Sequence, residues 1–146
     1  MSAPRAERVF AANSEIELLI RNGNFAEAQK ALEGIAREAD DFAFYYRKGI
    51  VADALGHDGD AQSAYQAGIN KATKDSDRAT ALAAAGQVAM RRSRWTEASS
   101  LLRAAHEIEP RNPDVIRALV TADRHLANYD EAVKLISALL DRKSVV

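Results

Sequence analysis

Three arginines have the side-chain type and spacing that best fit a chemical role in this sequence. Arg91, Arg117 and Arg124 recur on comparable faces of predicted helices. A guanidinium binds a carboxylate through paired, charge-assisted hydrogen bonds, so these side chains could converge on acidic side chains or another carboxylate. The alternative is an ordinary solvated helix surface, where an exposed ion pair contributes only about 0–1 kcal/mol. The residues alone leave both interpretations open.

The sequence shows none of the usual signatures of catalysis or metal binding. His57, Asp58 and Asp60 have the donor types of a metal site, but they lie in a predicted turn, and His106 and His125 are isolated. The sequence has no cysteine, and it has no glycine-rich phosphate loop, nucleophile elbow or paired metal-ligand helix motif. We therefore expect no catalytic residue, no metal and no cofactor, and a chain that is not an enzyme.

The composition of the chain bears on which class of molecule it could bind. The 146 residues fit one domain with its own core, and 20 Lys and Arg against 21 Asp and Glu give a net charge of -1. No overall field would therefore attract nucleic acid or an anionic membrane. No window of about 18 apolar residues predicts a membrane span, and residues 1–8 lead into no apolar secretory signal. These features favour a protein or peptide partner, with no nucleic acid and no membrane insertion, and the absence of cysteine fits a cytoplasmic location.

A fourfold repeat organises the chain. Each copy contains a four-residue pattern, which is usually an aromatic residue, any residue, an acid and an alanine. The copies are Phe25–Ala28, Asp58–Ala61, Trp95–Ala98 and Tyr129–Ala132. The alanines lie 33, 37 and 34 residues apart, a period that indicates a helical repeat protein. Apolar residues follow each alanine at three, four and seven positions on, which predicts one face of an amphipathic helix. A further helix is predicted before each copy, at about 9–21, 42–55, 77–92 and 113–126.

The third and fourth copies resemble tetratricopeptide repeats along their length. The matching residues are Leu82, Ala85, Gly86, Ala89, Trp95, Ala98, Leu102, Ala105 and Pro110, followed by Ile116, Leu119, Val120, Tyr129, Ala132, Ile136 and Leu139. The resemblance implies an all-α, right-handed superhelical solenoid of about four antiparallel helix-turn-helix repeats. It predicts a single domain over residues 1–146, with repeats at about 9–42, 43–75, 79–112 and 113–146. Glu15, Lys48, Asp58 and Asp123 depart from the apolar or aromatic pattern of the family.

The resemblance also implies a concave groove, lined by the first helix of each repeat, that holds an extended or helical peptide. Helical phase predicts the groove residues, which are Asn13, Glu17, Arg21, Tyr46, Ile50, Asp53, Gln87, Met90, Arg91, Arg117, Thr121, Arg124 and His125. The groove is expected to be most basic toward the C-terminus, which favours an acidic protein or peptide as the partner. Phe42, Phe44 and Tyr45 are expected instead to pack between the first two repeats.

The last predicted helix is apolar on more than one face. We expect Val133, Ile136 and Leu140 to mediate self-association into a homo-oligomer, because an exposed apolar surface favours assembly. A partner protein or a downstream domain could cover the same face. The leading hypothesis is a non-catalytic scaffold that binds a protein or peptide. The alternative is a targeting or regulatory repeat domain of a larger enzyme such as a transferase.

Overall fold

The computed structural model describes residues 4–144, and in that part of the chain every regular element is an α-helix. The eight helices described are α1 (Arg5–Arg21), α2 (Phe25–Ile35), α3 (Phe42–Ala54), α4 (Asp58–Lys71), α5 (Asp75–Arg91), α6 (Trp95–Ile108), α7 (Pro113–His125) and α8 (Tyr129–Ser144). They follow one another as four pairs, one for each copy of the sequence repeat. The predicted all-α repeat fold is confirmed.

Side-chain caps begin two of the first helices. The Asp41 carboxylate accepts a hydrogen bond from the backbone N–H of Phe44 at 3.0 Å, at the start of α3. Asn112 accepts from the N–H of Asp114 at 3.0 Å, and Pro113 takes the first helical position of α7. Such caps satisfy backbone donors that have no partner inside the helix.

The first helix begins earlier than predicted. It starts at Arg5 rather than at about residue 9, directly after Pro4, whose φ of -55° suits a helix start. The four residues gained, Arg5 to Arg8, are alanine and charged residues with good helix propensity. The apolar pattern could not reveal them because none of the four is buried.

One kind of turn joins the two helices of every pair. The central residue of each turn has a positive φ and lies five positions before the alanine of the repeat pattern. These residues and their φ angles are Gly23 (78°), Gly56 (77°), Ser93 (56°) and Ala127 (60°). The next residue donates its N–H to a carbonyl five positions back; for Asn24 and Leu19, and for Asn128 and Asp123, the N···O distance is 2.8 Å. These bonds close the end of the first helix in the manner of a Schellman motif.

The described helices divide into two compact units, α1–α4 and α5–α8, with the boundary between Ala72 and Thr73. The single domain and its four repeat boundaries therefore stay predictions, and its ends at residues 1–3 and 145–146 lie outside the described residues. None of the described helices is long and apolar enough to cross a membrane.

The core of the first unit is built from α1, α2 and α3. Buried Ile16, Leu32, Ile35 and Phe44 form one cluster, and Tyr45 packs against it. The expectation that Phe44 and Tyr45 pack between the first two repeats is confirmed. The α3 and α4 helices approach closely where Gly49 faces the ring of Tyr65, since a side chain at position 49 would overlap that ring.

The core of the second unit joins α5, α6 and α7. Leu102 and Leu119 are fully buried at its centre, with Ala89, Ala98, Ala118 and Ala122 around them. A Cβ atom at Gly86 would lie 2.7 Å from Leu102 Cγ. Gly49 and Gly86 therefore both lie where two paired helices approach closely.

Candidate peptide-binding site

An open pocket of about 240 Å³ lies where α7 turns into α8. Thr121, Arg124 and His125 line it from α7, and Tyr129 lines it from α8. The hydroxyl of Thr121 donates to the carbonyl of Arg117 at 3.0 Å. Three predicted groove residues therefore line one pocket together with Tyr129, which the sequence pattern predicted only as the aromatic of the fourth repeat.

The imidazole of His125 is held against Trp95. The two rings are parallel within 3°, with centroids 3.6 Å apart. Trp95 in turn packs against the core cluster of the second unit, so the exposed histidine is connected to the core through the Trp95 ring. The sequence placed the two residues 30 positions apart, but Trp95 begins α6 and His125 ends α7, and these positions meet in the structure.

The three predicted arginines differ in their surroundings. Arg117 forms an exposed ion pair with Asp114, one turn earlier in α7, and does not line the pocket. Arg124 lines the pocket and has no ion-pair partner among the described residues. Gln87 and Arg91 are exposed on α5, whereas Met90 packs against the core cluster. The convergence of all three arginines on one ligand stays a prediction.

In the first unit, Arg47 connects two of the predicted groove residues. Its guanidinium donates to the Asn13 side chain at 3.3 Å and forms an ion pair with Glu17. Arg47 was not among the predicted groove residues. Arg21 is exposed at the end of α1.

The α3 residues predicted for the groove are partly used in packing. Tyr46 stacks on Phe42 with centroids 5.4 Å apart, and burial raises the pKa of its phenol. Asp53 accepts a hydrogen bond from the Tyr65 hydroxyl at 3.4 Å, and Ile50 is half-buried. Each unit thus carries its own part of the predicted surface, and the groove as a whole stays a prediction.

The predicted self-association residues are exposed. Val133, Ile136 and Leu140 leave 60%, 43% and 57% of their surface accessible, and Tyr129 continues their line at the start of α8. We call these four residues the α8 stripe. Their spacing of four, three and four positions places them on one face of the helix.

No group of three metal-ligating side chains lies together anywhere in the described part of the chain, and this includes the turn at His57.

Comparison with known proteins agrees with this architecture. Residues 89–144 match the family model of the tetratricopeptide repeat, which covers α6 to α8 and the end of α5. The resemblance to the tetratricopeptide repeat family is confirmed. No curated protein matches the sequence.

Three solved structures show how widely this tetratricopeptide repeat fold is shared. The crystal structure of MamA is similar with a TM-score of 0.83 at 19% identity, over 93% of this chain and 73% of MamA. A tetratricopeptide repeat protein from Parabacteroides merdae has a TM-score of 0.75 at 13% identity, over 92% of this chain and 52% of its own. The Yersinia enterocolitica type III secretion chaperone SycD, in complex with a peptide of the translocator YopD, has a TM-score of 0.65 at 17% identity, over 94% of this chain and 95% of SycD. At these identities the similarity shows the fold alone.

Proposed function

We propose that this chain is a non-catalytic scaffold that binds an acidic peptide segment of a partner protein. The observation that carries the proposal is the pocket at the turn from α7 to α8, where the exposed Arg124 guanidinium adjoins the His125 imidazole. The tetratricopeptide repeat fold, found also in the SycD complex with a peptide, supports a binding role. A cytoplasmic setting, favoured by the absence of cysteine, belongs to the same proposal.

The pocket combines two recognition elements. Arg124 offers a planar set of N–H donors that matches a carboxylate. Tyr129 and the Trp95–His125 stack offer aromatic surface beside that charge, and aromatic residues together with arginine are enriched among residues that dominate binding energy. The preferred ligand is therefore a peptide with a carboxylate next to an apolar side chain.

Selection from a random peptide library against the purified chain tests this function without assuming a partner. We expect enrichment of acidic peptides, and we expect each to bind in competition with the others. Trp95 is the one tryptophan of the chain, so binding at its stack with His125 should change the intrinsic fluorescence. Failure to enrich any peptide would contradict the scaffold proposal.

Two matched variants locate the site. Arg124→Gln should weaken the enriched peptides by about tenfold, the effect of one lost charge-assisted hydrogen bond. Arg117→Gln removes the same charge from the same helix outside the pocket, and binding should change by less than about twofold. Equal effects of the two variants would reject the pocket and leave only a diffuse basic surface.

We further propose that the α8 stripe mediates self-association with a second copy of this chain. The repeat supplies the argument, because Val133, Ile136 and Leu140 correspond to Ser99, Leu102 and His106 of α6. In α6 this face is covered by α7, where Leu102 packs against Leu119. The α8 stripe presents an equivalent apolar face that a helix would cover.

The chain also favours one arrangement of the two copies. By the same repeat numbering, Glu15 of α1 corresponds to Leu119 of α7. A head-to-tail contact of α1 with the α8 stripe would therefore bury a carboxylate where the fold otherwise buries leucine, and an unpaired buried charge is costly. Pairing of α8 with α8 of a second copy brings apolar faces together and closes as a dimer.

A further inference from the structure

The first unit contains a cleft of about 390 Å³ among α2, α3 and α4. Its floor is apolar, with Leu32, Val51 and Ala64 all buried. Its rim carries two acids and one base, Glu33, Asp60 and Lys48. The cleft is separate from the residues predicted for the peptide groove.

The second unit shows what occupies the corresponding place there. Counting from the repeat alanines, Glu33 corresponds to Arg103, Ala52 to Asp123 and Asp60 to Glu131. The Arg103 guanidinium lies among α6, α7 and α8, 3.0 and 3.3 Å from the two carboxylate oxygens of Asp123. A second guanidinium nitrogen lies 3.9 Å from Glu131. In the second unit, a partly exposed arginine side chain therefore lies against acids from two neighbouring helices.

The first unit lacks that arginine and keeps one of the two acids around it, with Asp60 in the place of Glu131. Glu33 places a carboxylate where Arg103 begins, and Ala52 replaces Asp123 at the floor, which frees volume. Neither Glu33 nor Asp60 has an ion-pair partner among the described residues. The same helical frame thus presents an open cleft with unneutralised carboxylates.

We propose that this cleft binds an arginine side chain of a partner protein. The aliphatic part of the arginine lies on Leu32 and Ala64, and its guanidinium faces Glu33 and Asp60. An arginine suits the cleft better than a lysine because its planar donors can serve two carboxylates at once. Lys48 on the same rim favours a partner in which an acidic residue adjoins the arginine.

The test uses tripeptides as probes and amide chemical shifts of the full chain as the readout. Acetyl-Leu-Arg-Leu-amide should shift the amides of Ala52 and Ala64 in a saturable way. The matched peptide with citrulline, which has the same shape without the charge, should bind about tenfold more weakly. Equal binding of the two peptides, or no shift at millimolar peptide, would overturn the proposal.

Two variants of the cleft complete the test. Glu33→Gln with Asp60→Asn should weaken the arginine peptide about tenfold or more, and both positions are exposed, so the fold should be retained. Glu33→Arg with Ala52→Asp rebuilds the arrangement of the second unit and should abolish binding by filling the cleft. Arg124→Gln should leave the arginine peptide unaffected, which separates this site from the acidic-peptide pocket. Binding that survives the filled cleft would reject the site.

Discussion

Arg103 of α6 and Asp123 of α7 form an ion pair in which the carboxylate is completely buried and the guanidinium is partly exposed. The Ser99 hydroxyl adds a hydrogen bond to Asp123 at 3.2 Å. Asp123 thus departs from the apolar pattern of the family without being left unpaired. Its carboxylate is satisfied from α6, and Arg103 also reaches toward Glu131 of α8.

Removing one partner of this pair should cost more than removing both. Arg103→Met leaves the buried Asp123 carboxylate with only the Ser99 hydroxyl, and we expect a loss of about 2 kcal/mol in the free energy of unfolding, discounted because Arg103 is partly exposed. Arg103→Met with Asp123→Leu should recover at least half of that loss, since well-packed apolar residues often replace a buried ion pair without penalty.

Urea unfolding of the single and double variants measures this coupling. Arg117→Gln, which breaks an exposed arginine pair of the second unit, serves as the control and should change stability by less than about 0.5 kcal/mol. A double variant less stable than Arg103→Met would show that the pair is not the relevant interaction.

The Arg103 pair also shows why the sequence predicted the helices but not the pairing. Apolar residues that recur three and four positions apart indicate a helix, so local spacing was enough to predict the eight helices. The partner of Asp123 lies 20 positions away on another helix, and its choice depends on how α6 and α7 face each other. The Trp95–His125 stack was not predicted for the same reason, because its two rings belong to different helices.

The candidate site was predicted in part. Helical phase identified Thr121, Arg124 and His125 as one surface, and these residues do line a common pocket. Phase also placed Arg117 on the groove face, but Arg117 pairs with Asp114, three positions earlier on the same helix, and does not line the pocket. Helical phase could not show the cleft of the first unit, where Ala52 and Glu33 stand in the places of Asp123 and Arg103.

The left-handed backbone of the turn between α7 and α8 predicts a stabilising substitution at Ala127. Ala127 adopts a φ of 60°, which costs a residue with a side chain about 1–2 kcal/mol. Glycine removes that cost but gives the unfolded chain more freedom, an opposing effect of about 0.4–1 kcal/mol. Ala127→Gly should therefore stabilise the chain by about 0.5–1 kcal/mol in urea unfolding.

The equivalent glycine provides the reverse experiment. A Cβ at Gly56 would meet nothing within 4 Å, so Gly56→Ala tests backbone conformation without steric overlap. We expect a loss of about 1 kcal/mol. If both substitutions changed stability in the same direction, the backbone explanation of the shared turn would be wrong.

Close helix approach predicts a different glycine effect in the second unit. At Gly86 an added Cβ would lie 2.7 Å from Leu102 Cγ, which is fully buried and cannot move freely. Gly86→Ala should therefore destabilise the chain by about 1–3 kcal/mol through overpacking. Thermal and urea unfolding, monitored by helical circular dichroism, measure the change.

Gly34 is the matched control for Gly86. It lies in α2, is exposed, and has no heavy atom within 4 Å of an added Cβ. Gly34→Ala should stabilise the chain by about 0.5–1 kcal/mol, because alanine has the higher helix propensity. Stabilisation by Gly86→Ala as well would mean that α5 and α6 can separate without loss.

The exposed α8 stripe predicts a dimer in solution that a single substitution in the stripe should dissociate. If two copies pair through α8, light scattering over a concentration series should approach twice the chain mass of 15.9 kDa. Leu140→Asp or Ile136→Asp should then yield monomer, because the new carboxylate would be buried without a partner. Lys134→Asp changes charge on an exposed position of the same helix outside the stripe and should leave the dimer intact.

A dimer that Leu140→Asp and Ile136→Asp both leave unchanged would place the contact on another surface. A native chain that is monomeric at every concentration would reject self-association and favour a covering helix supplied by a different protein or by the larger enzyme of the alternative hypothesis.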